Sequence, residues 1–212
     1  MVNNLTHSIV SNRLELAGVS NVERMDDLVS FLDLLVKWNR KINLTSLDIQ
    51  PLTAHAVDKL IVEPVVASAF ANASGLRVID LGTGGGSPAI PFRLQLQPSS
   101  FRMVESRSKK CAFLREAVRT AGLSDTKVEE SRFEELSGRP DLKSSSDLIT
   151  VRAVRFDHEL VGLFRYLLAS GGRILRFTSS DDTLPVGGLE LVSRHPLVAS
   201  TSSELQVIRL VD

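Results

Sequence analysis

The fold is decided by residues 78–86, which read VIDLGTGGG. An apolar run carrying an acid, Asp80, leads directly into glycines at positions 82, 84, 85 and 86. Because glycine has no Cβ atom and tolerates positive φ, a glycine-rich turn lets bare backbone approach a bound cofactor. A helical pattern follows the turn, so the order of strand, turn and helix favours a cofactor loop over a merely flexible loop.

The spacing of the glycines narrows the kind of cofactor. Gly82, Gly84 and Gly86 alternate after Asp80, as in the D-x-G-x-G-x-G loop typical of class I S-adenosylmethionine (SAM) methyltransferases. In the dinucleotide pattern G-x-G-x-x-G, Ser87 would stand at the third glycine. The loop therefore predicts SAM as the cofactor, with an NAD-binding module as the alternative.

After Gly75 the sequence alternates short β-rich runs with helical stretches, which is typical of a parallel sheet covered by helices. We predict an α/β fold of the class I SAM-dependent methyltransferase type, Rossmann-like, with a seven-stranded, mostly parallel sheet. The predicted strands are 77–81, 101–105, 127–130, 147–151 and 173–177, with 189–193 and 205–211 as two more in the tail. The predicted helices are 88–97, 109–121, 132–136 and 156–169, with Gly122 and Gly171 as C-terminal caps and 138–146 as a surface loop.

The region before Gly75 is predicted to be helical. Ser20 and Glu23 match a capping box, and apolar residues follow at helical spacing over residues 25–36. Pro51 is expected to open the next helix. We therefore predict an N-terminal helical extension over residues 1–74, packed on a SAM-binding methyltransferase core over residues 75–212, the two forming one compact unit.

Composition limits the function classes. Twenty-five basic residues balance twenty-five acidic ones, so a nucleic-acid partner would have to meet a local patch. Cys111 is the only cysteine, which fits a reducing compartment, and the four histidines are too far apart to predict a metal site. No stretch is long and apolar enough to span a membrane, and the N-terminus lacks the pattern of a signal peptide. We expect a cytoplasmic monomer without a metal.

Ligands of an open α/β sheet bind beyond the carboxyl ends of the strands, so the residues at these ends are the candidates for binding a ligand. Ser87 precedes a helix whose N-terminus can face the carboxylate of SAM. Glu105 can accept the ribose hydroxyls, or it is a solvated surface glutamate. Phe133 and Glu134 can receive the adenine ring, or they form a charged helix start. Arg152 can hold a carboxylate or phosphate by paired donors, or it forms a structural ion pair.

Basic residues cluster locally despite the balanced total. Residues 93–119 hold seven basic side chains against two acidic ones, and residues 152–176 hold five against two. If the clusters converge at the carboxyl edge of the sheet, they can neutralise RNA phosphates; otherwise they are scattered in solvent. Trp38 can stack on an exposed base, but its place at the end of an amphipathic helix favours the core. The predicted RNA-binding residues are Lys37, Arg40, Lys41, Lys109 and Lys110.

Several motifs together resemble one family, RsmG/GidB, over roughly residues 15–177. The Trp-Asn…Asn-Leu-Thr segment ahead of the glycine loop makes the resemblance specific, since the loop alone indicates only a SAM fold. The segments that carry it are 37–46 (KWNRKINLTS), 80–91, Glu105 with Lys109 and Lys110, Phe113-Leu114, 131–135 (SRFEE) and Arg152-Ala153.

The resemblance implies that SAM is used to methylate N7 of a guanine in bacterial 16S ribosomal RNA, with that RNA or the small ribosomal subunit as the partner. It implies that Arg152 has a catalytic position beside the transferred methyl group. The residues that it places at the cofactor or beside that methyl group are Gly82, Ser87, Glu105, Phe133, Glu134 and Arg152.

Guanine N7 carries an in-plane lone pair and no proton. In-line SN2 transfer to it therefore needs no general base, in agreement with the lack of a conspicuous catalytic His or Asp pair. No Asn-Pro-Pro-Tyr or Asp-Pro-Pro-Tyr stretch follows residues 147–151, which argues against methylation of the adenine amino group. Cys111 lies inside a predicted helix, so a core position is favoured over that of a pyrimidine C5 nucleophile.

The sequence departs from the family pattern in four places. Gly85 stands where a proline is common, and Ala89 where a glycine is. The family's Arg-His-Ile-x-Asp-Ser is replaced by residues 54–59 (AHAVDK), and its Lys-Gly pair by Thr178-Ser179. The last two changes remove basic side chains that would help to hold RNA. A different RNA, a small molecule, or a non-catalytic SAM- or RNA-binding role therefore remain alternatives.

Overall fold

The computed structural model describes residues 4–22, 24–71, 73–184 and 187–211. Its centre is a seven-stranded sheet of order β3-β2-β1-β4-β5-β7-β6. The strands are β1 Arg77–Leu81, β2 Ser100–Glu105, β3 Thr126–Glu130, β4 Ser146–Arg152, β5 Leu168–Ser179, β6 Leu189–Val198 and β7 Ser203–Leu210.

The first five strands are parallel, and β7 runs antiparallel between β5 and β6. This confirms the predicted mostly parallel, seven-stranded Rossmann-like sheet, including the two tail strands. Because parallel strands end at the same edge, the chain leaves β1, β2, β4 and β5 on one side of the sheet. The glycine loop after β1 and the residues after β2 and β4 therefore meet there.

The helices form two groups separated by the first strand. In the part of the chain that the structure describes, no helix is long and apolar enough to cross a membrane. The N-terminal helices are α1 Asn4–Leu16, α2 Met25–Asn39 and α3 Ala54–Val57, which continues through a π-helical turn, Asp58–Val62, into α4 Glu63–Ser68. The others are α5 Ala89–Leu94, α6 Ser108–Thr120, α7 Phe133–Leu136 and α8 His158–Leu167.

Alternating strand residues divide the core between the two faces of the sheet. Val78 joins the cluster that contains the N-terminal helices together with α5 and α6. Ile79 and Leu81 point the opposite way and join the cluster of α7 and α8. This follows from the two-residue period of a strand. The helices before Gly75 are therefore packed on one face of the sheet.

Three predicted helix starts are wrong by a few residues. The second helix begins at Met25 rather than after Ser20, and Glu23 of the predicted capping box lies outside the described residues. The next helix begins after Thr53, whose hydroxyl accepts a hydrogen bond from the Ala56 N–H at 3.2 Å, and not at Pro51. The helix predicted from residue 156 begins after Asp157, whose carboxylate accepts from the Leu160 N–H at 3.0 Å.

The prediction that Gly171 caps a helix is also wrong. α8 ends at Leu167, and the chain continues directly into β5 in an extended conformation. The register with β4 shifts between Ser146 and Leu148, whose partners are Leu168 and Arg173, so Gly171 lies in an irregular segment of the strand at φ +76°. Within the loop predicted over residues 138–146, a short 3-10 helix, Pro140–Leu142, precedes β4.

Gly86 holds the glycine loop against the N-terminal helices. Its φ is +87°, and a Cβ atom at this position would lie 2.9 Å from Phe31 and 3.0 Å from Ile90. Gly86→Ala is expected to lower the free energy of unfolding by about 2–3 kcal/mol, since it adds both backbone strain and overpacking. Gly162→Ala is the matched control, because a Cβ atom there meets nothing within 4 Å. Urea unfolding that shows equal stability for both variants would contradict this role.

Candidate cofactor and acceptor sites

A cleft of about 730 Å³ opens at the carboxyl edge of the sheet. Three parts of the chain line it: the glycine loop, the residues that follow the neighbouring strands, and a segment of the N-terminal region. Its volume lies within the range of small-molecule sites in proteins. The lining residues include Leu44, Thr45, Lys59, Gly82, Gly84, Gly85, Ser87, Glu105, Lys110, Phe133, Arg152 and Val154.

The glycine loop presents bare backbone to this cleft. Gly82 has φ +75° and Gly84 has φ +59°, so both occupy the left-handed region that glycine tolerates. A Cβ atom on Gly82 would lie 3.0 Å from Val154 Cγ2 and 3.6 Å from Phe133 Cζ, inside the cleft. The loop is thus shaped for a group that lies against backbone, as the spacing of its glycines predicts.

Glu105 holds the loop in this shape. Its side chain is buried, with Oε2 accepting a hydrogen bond from the Gly84 N–H at 2.9 Å and Oε1 accepting from the Arg107 N–H at 2.8 Å. Each carboxylate oxygen has a further lone pair that can accept from a hydroxyl group. The alternative of a solvated surface glutamate is therefore wrong, and Glu105 can serve both the loop and a ligand.

A segment of the N-terminal region forms the opposite wall. Asn39 Oδ1 accepts hydrogen bonds from the Leu44 N–H at 2.8 Å and the Thr45 N–H at 3.1 Å, which folds the chain back toward the glycine loop. The Leu44 carbonyl oxygen lies 2.7 Å from where a Cβ atom of Gly85 would be. Trp38 packs edge-on against Phe113, so it supports this wall from the core side.

Asp80 and Gly86 lie behind the cleft and are not among its lining residues. Gly86 packs against helices, as described above. Asp80 is buried; Oδ1 accepts from Thr150 Oγ1 at 2.5 Å, whereas Oδ2 has no hydrogen-bond partner among the described residues. Burial raises the pKa of Asp80 to about 6, and the Thr150 hydroxyl opposes the rise. The sequence predicted that Asp80 and Gly86 contact the cofactor. The structure instead places both behind the loop, where they support its shape.

The raised pKa of Asp80 makes the stability of the fold depend on pH, and the sign of this dependence follows from the direction of the pKa change. Since the folded protein binds a proton that the unfolded chain releases, the contribution of Asp80 to stability falls as pH rises from about 4 to about 6. Asp80→Asn cannot take up this proton, so its stability relative to wild type should improve by up to about 3 kcal/mol across that window. Denaturant unfolding at several pH values checks this; a constant difference would contradict it.

Ser87 joins the loop to the N-terminal helices. Its hydroxyl donates to the Leu60 carbonyl oxygen at 2.8 Å and accepts from Arg152 Nη1 at 3.3 Å. The predicted helix over 88–97 is only α5, six residues long, and its Ile90 N–H already donates to the Gly86 carbonyl at 2.7 Å. Ala89 and Ile90 are buried. The expectation that this helix N-terminus faces the carboxylate of SAM is therefore not supported.

Arg152 lies in an ion pair at the end of β4. Nη2 donates to Glu63 Oε2 at 2.6 Å, and Nη1 donates to the Lys59 carbonyl at 2.7 Å. Its guanidinium also lies 4.7 Å from the centre of the Phe177 ring. Burial lowers the pKa of Arg152, while the charges of Glu63 and Asp80 oppose the change. The sequence suggested either a ligand-binding role or a structural ion pair for Arg152. In the structure Arg152 lines the cleft and is held there by an ion pair.

Phe133 and Glu134 occupy different positions. Phe133 lines the cleft beside Gly82, where an aromatic ring can stack. Glu134 is exposed and lines an adjoining groove of about 540 Å³ that shares Phe133, Val154 and Arg155 with the cleft. Glu134 is therefore not among the residues that line the cleft beside the glycine loop.

Several of the basic side chains counted in the two windows are neutralised by acids outside those windows. Arg93, Arg102 and Arg115 form ion pairs with acids on or just before β3, which lie outside the counted window: Asp125, Glu129 and Glu130. Arg152 and Arg176 are likewise paired with Glu63 and Asp182. The five predicted RNA-binding residues are not all placed alike. Lys37, Arg40, Lys41 and Lys109 are exposed, and Lys110 is half-buried in the wall of the cleft.

A second pocket of about 390 Å³ adjoins the cleft. The two share a wall of four residues, and the second pocket extends from it over the end of β5. Lys59 belongs to the shared wall, with its ammonium 3.2 Å from Glu63 Oε1 and bonded to Ser203 Oγ. Sequence reasoning singled out this lysine only as a departure from a family pattern. The shared residues are Lys59, Arg152, Ala153 and Val154.

The order of the sheet and the glycine loop give this chain the fold of class I SAM-dependent methyltransferases. Solved structures with this fold include a SAM-dependent methyltransferase from Aquifex aeolicus, with a TM-score of 0.55 and 13% identity over 71% of this chain and 89% of that one. The ribosomal protein L11 methylase from Lactobacillus delbrueckii subsp. bulgaricus has a TM-score of 0.52 and 18% identity over 70% and 76%. SAM is the cofactor of this class, and the glycine cradle and the free lone pairs of Glu105 fit it.

The chain belongs to the GidB family, described as rRNA small subunit methyltransferase G, whose model matches residues 24–183. The predicted resemblance is thereby confirmed. A relative, ribosomal RNA small subunit methyltransferase G of Laribacter hongkongensis, is 40% identical over 147 residues, which cover 68% of this chain and 66% of that protein. A second relative, from Stenotrophomonas maltophilia, is 38% identical over 150 residues. The match spans just under two thirds of the length of these curated relatives.

Proposed function

We propose that this protein transfers a methyl group from SAM to N7 of a guanine in the 16S RNA of the small ribosomal subunit. The observation that carries the proposal is the cleft in which the glycine loop, held by Glu105, faces the wall folded by Asn39. Membership of a family described as rRNA small subunit methyltransferases supports the choice of RNA. We also propose that residues 1–74 and 75–212 act as the extension and core of one unit, in the cytoplasm and as a monomer.

The proposed roles follow from where each side chain lies. Glu105 accepts the ribose hydroxyls with the lone pairs that its two backbone donors leave free. Gly82 and Gly84 lie against the cofactor, and Phe133 stacks on its adenine ring, with Glu134 at the outer edge of that ring. Ser87 and Arg152 form the end of the cleft nearest the second pocket. Asp80 and Gly86 support the loop from behind.

The proposed chemistry needs orientation rather than a base. When bound, SAM supplies a methyl group on a positively charged sulfur. Because N7 of guanine has a free lone pair and no proton, the protein has only to align this atom and exclude water. Arg152 is fixed by Glu63 and the Lys59 carbonyl, so it can define that alignment without taking a proton.

The proposed RNA surface consists of four exposed basic side chains, Lys37, Arg40, Lys41 and Lys109, together with Lys110 in the wall of the cleft. Phosphate contacts of this kind position an RNA without reading its sequence. Ala54 and Thr178 stand where the resemblance implies basic residues, which keeps a different RNA or a small molecule as the second candidate substrate.

Two measurements with the purified protein test the proposal. Labelled methyl groups from SAM should enter small-subunit RNA and should not enter a small-molecule extract; the reverse pattern would favour the second candidate. Calorimetry should detect binding of SAM without binding of NAD. Tight binding of NAD alone would contradict a methyltransferase function.

A further inference from the structure

The second pocket is lined by aromatic rings and by guanidinium groups. Phe156 and Phe177 line it, and each carries an arginine guanidinium over its ring, Arg176 at 4.5 Å and Arg152 at 4.7 Å from the ring centre. Nucleobases that leave their stack are commonly held on aromatic rings and guanidinium planes. The volume of about 390 Å³ is within the range of small-molecule sites.

The position of the pocket fits an acceptor base rather than a second cofactor. Its shared wall with the cleft contains Lys59 and Arg152, so a ring in the pocket lies next to the end of the cofactor cleft. An enzyme that modifies a base must bring that base out of its stack into such a pocket. One edge of the base would face the shared wall, and another edge would face the rest of the lining, which includes Thr178, Ser179 and Asp182.

Asp182 follows β5 and lines the pocket. Its side chain is 50% exposed; Oδ2 accepts from the Thr178 hydroxyl and lies 3.4 Å from Arg176 Nη2. Oδ1 has no hydrogen-bond partner among the described residues. An ionised carboxylate can only accept hydrogen bonds. Guanine alone among the four RNA bases has two adjacent donors on its Watson–Crick edge, N1–H and the N2 amino group.

We propose that the second pocket binds the acceptor guanine and that Asp182 selects it by accepting hydrogen bonds from N1–H and the N2 amino group. The inference rests on the proposed function, since it takes guanine N7 as the methylated atom. N7 lies on the opposite side of the base from these donors. Reading the base through Asp182 therefore leaves N7 free to face the shared wall and the cofactor cleft.

The test compares two RNAs after the methylated guanine has been located by mass spectrometry. One is the small-subunit RNA, and the other carries inosine, which lacks the N2 amino group, at that single position. Wild type should methylate the guanine RNA with a kcat/KM at least ~10-fold higher, because one donor to a charged acceptor is lost in inosine. In Asp182→Asn the ratio should fall to about one to threefold, since the amide replaces one acceptor with a donor.

Asp181→Asn is the matched control, because it makes the same change on an exposed neighbour that is not among the residues lining the pocket. It should keep the wild-type ratio. Equal kcat/KM values of the wild type for the two RNAs would overturn the role of Asp182. So would an Asp182→Asn protein that keeps the wild-type ratio of these values, whatever its overall rate. A wild type that methylates neither RNA would instead overturn the proposed function. Because the ratio is internal to each protein, a loss of folded material does not change it.

Discussion

Glu105→Gln is expected to weaken SAM binding by about 100-fold. The glutamine amide places an NH2 group against one of the two backbone N–H groups that Glu105 now accepts, from Gly84 and Arg107. Each hydrogen bond to a charged acceptor is worth roughly 1.5–3 kcal/mol, and the loss of one or more opens the loop while weakening the ribose contact. Calorimetric titration with SAM measures the change in Kd directly.

Glu116→Gln serves as the control for this prediction. Glu116 is half-buried on α6, and it is not among the residues that line the cleft. The same change of charge there should leave the Kd for SAM within about twofold of wild type. If Glu105→Gln bound SAM as tightly as Glu116→Gln does, the assignment of the ribose contact to Glu105 would have to be abandoned.

Arg152→Met is expected to lower the free energy of unfolding by about 3 kcal/mol or more, and to abolish most methyl transfer. It leaves Glu63 in the core with Lys59 as its remaining cation, and removing one partner of a buried ion pair typically costs 3–5 kcal/mol. For a chain of this size, that corresponds to a fall in Tm of about 6–12 °C. Differential scanning calorimetry and a methyl-transfer assay measure the two effects.

A double variant separates the structural role of Arg152 from its role at the acceptor. Glu63→Gln combined with Arg152→Met removes both charges, so much of the lost stability should return. Methyl transfer should stay low, because the guanidinium that borders both pockets is still missing. Recovery of activity together with stability would show that Arg152 acts only through the ion pair.

The sheet could be predicted because its strands carry local signals. The apolar run 77–81 before the glycines, and the repeated change from β-rich to helical patterns after it, correspond to β1 and to the strands and helices that follow. The irregular start of β5 had no such signal. Gly171 follows a helical pattern and has positive φ, as a helix cap does, and only the register against β4 assigns it to the strand.

The candidate site was predictable in its loop and less so in its partners. The spacing of Gly82 and Gly84 and the position of Glu105 indicate a cofactor site without knowledge of the structure. The sequence carries no local pattern that reveals an ion pair between distant segments. Arg93 and Arg102 were therefore counted toward an RNA surface, although Asp125 and Glu129 neutralise them. Gly86 fits the glycine motif, but in the structure a glycine is needed there because α2 packs against it through Phe31. The sequence alone does not reveal this packing.

The fold-back of the chain after α2 was predictable only in part. The Trp-Asn…Asn-Leu-Thr segment indicated the family, but its physical role follows from Asn39, whose side chain accepts from two backbone N–H groups at 44 and 45. The second pocket was not predicted at all. Lys59 and Asp182 are more than 120 positions apart, and the packing of the π-helical turn beside the end of β5 brings both to its lining.

Mass spectrometry of the nucleosides of 16S RNA tests most directly whether this protein places a methyl group on N7 of a guanine in that RNA. RNA from cells that have the gene should contain one more 7-methylguanine per 16S molecule than RNA from cells in which it is deleted. Returning the wild-type gene should restore the modification, and returning the Arg152→Met gene should not. An equal content of 7-methylguanine with and without the gene would contradict the account.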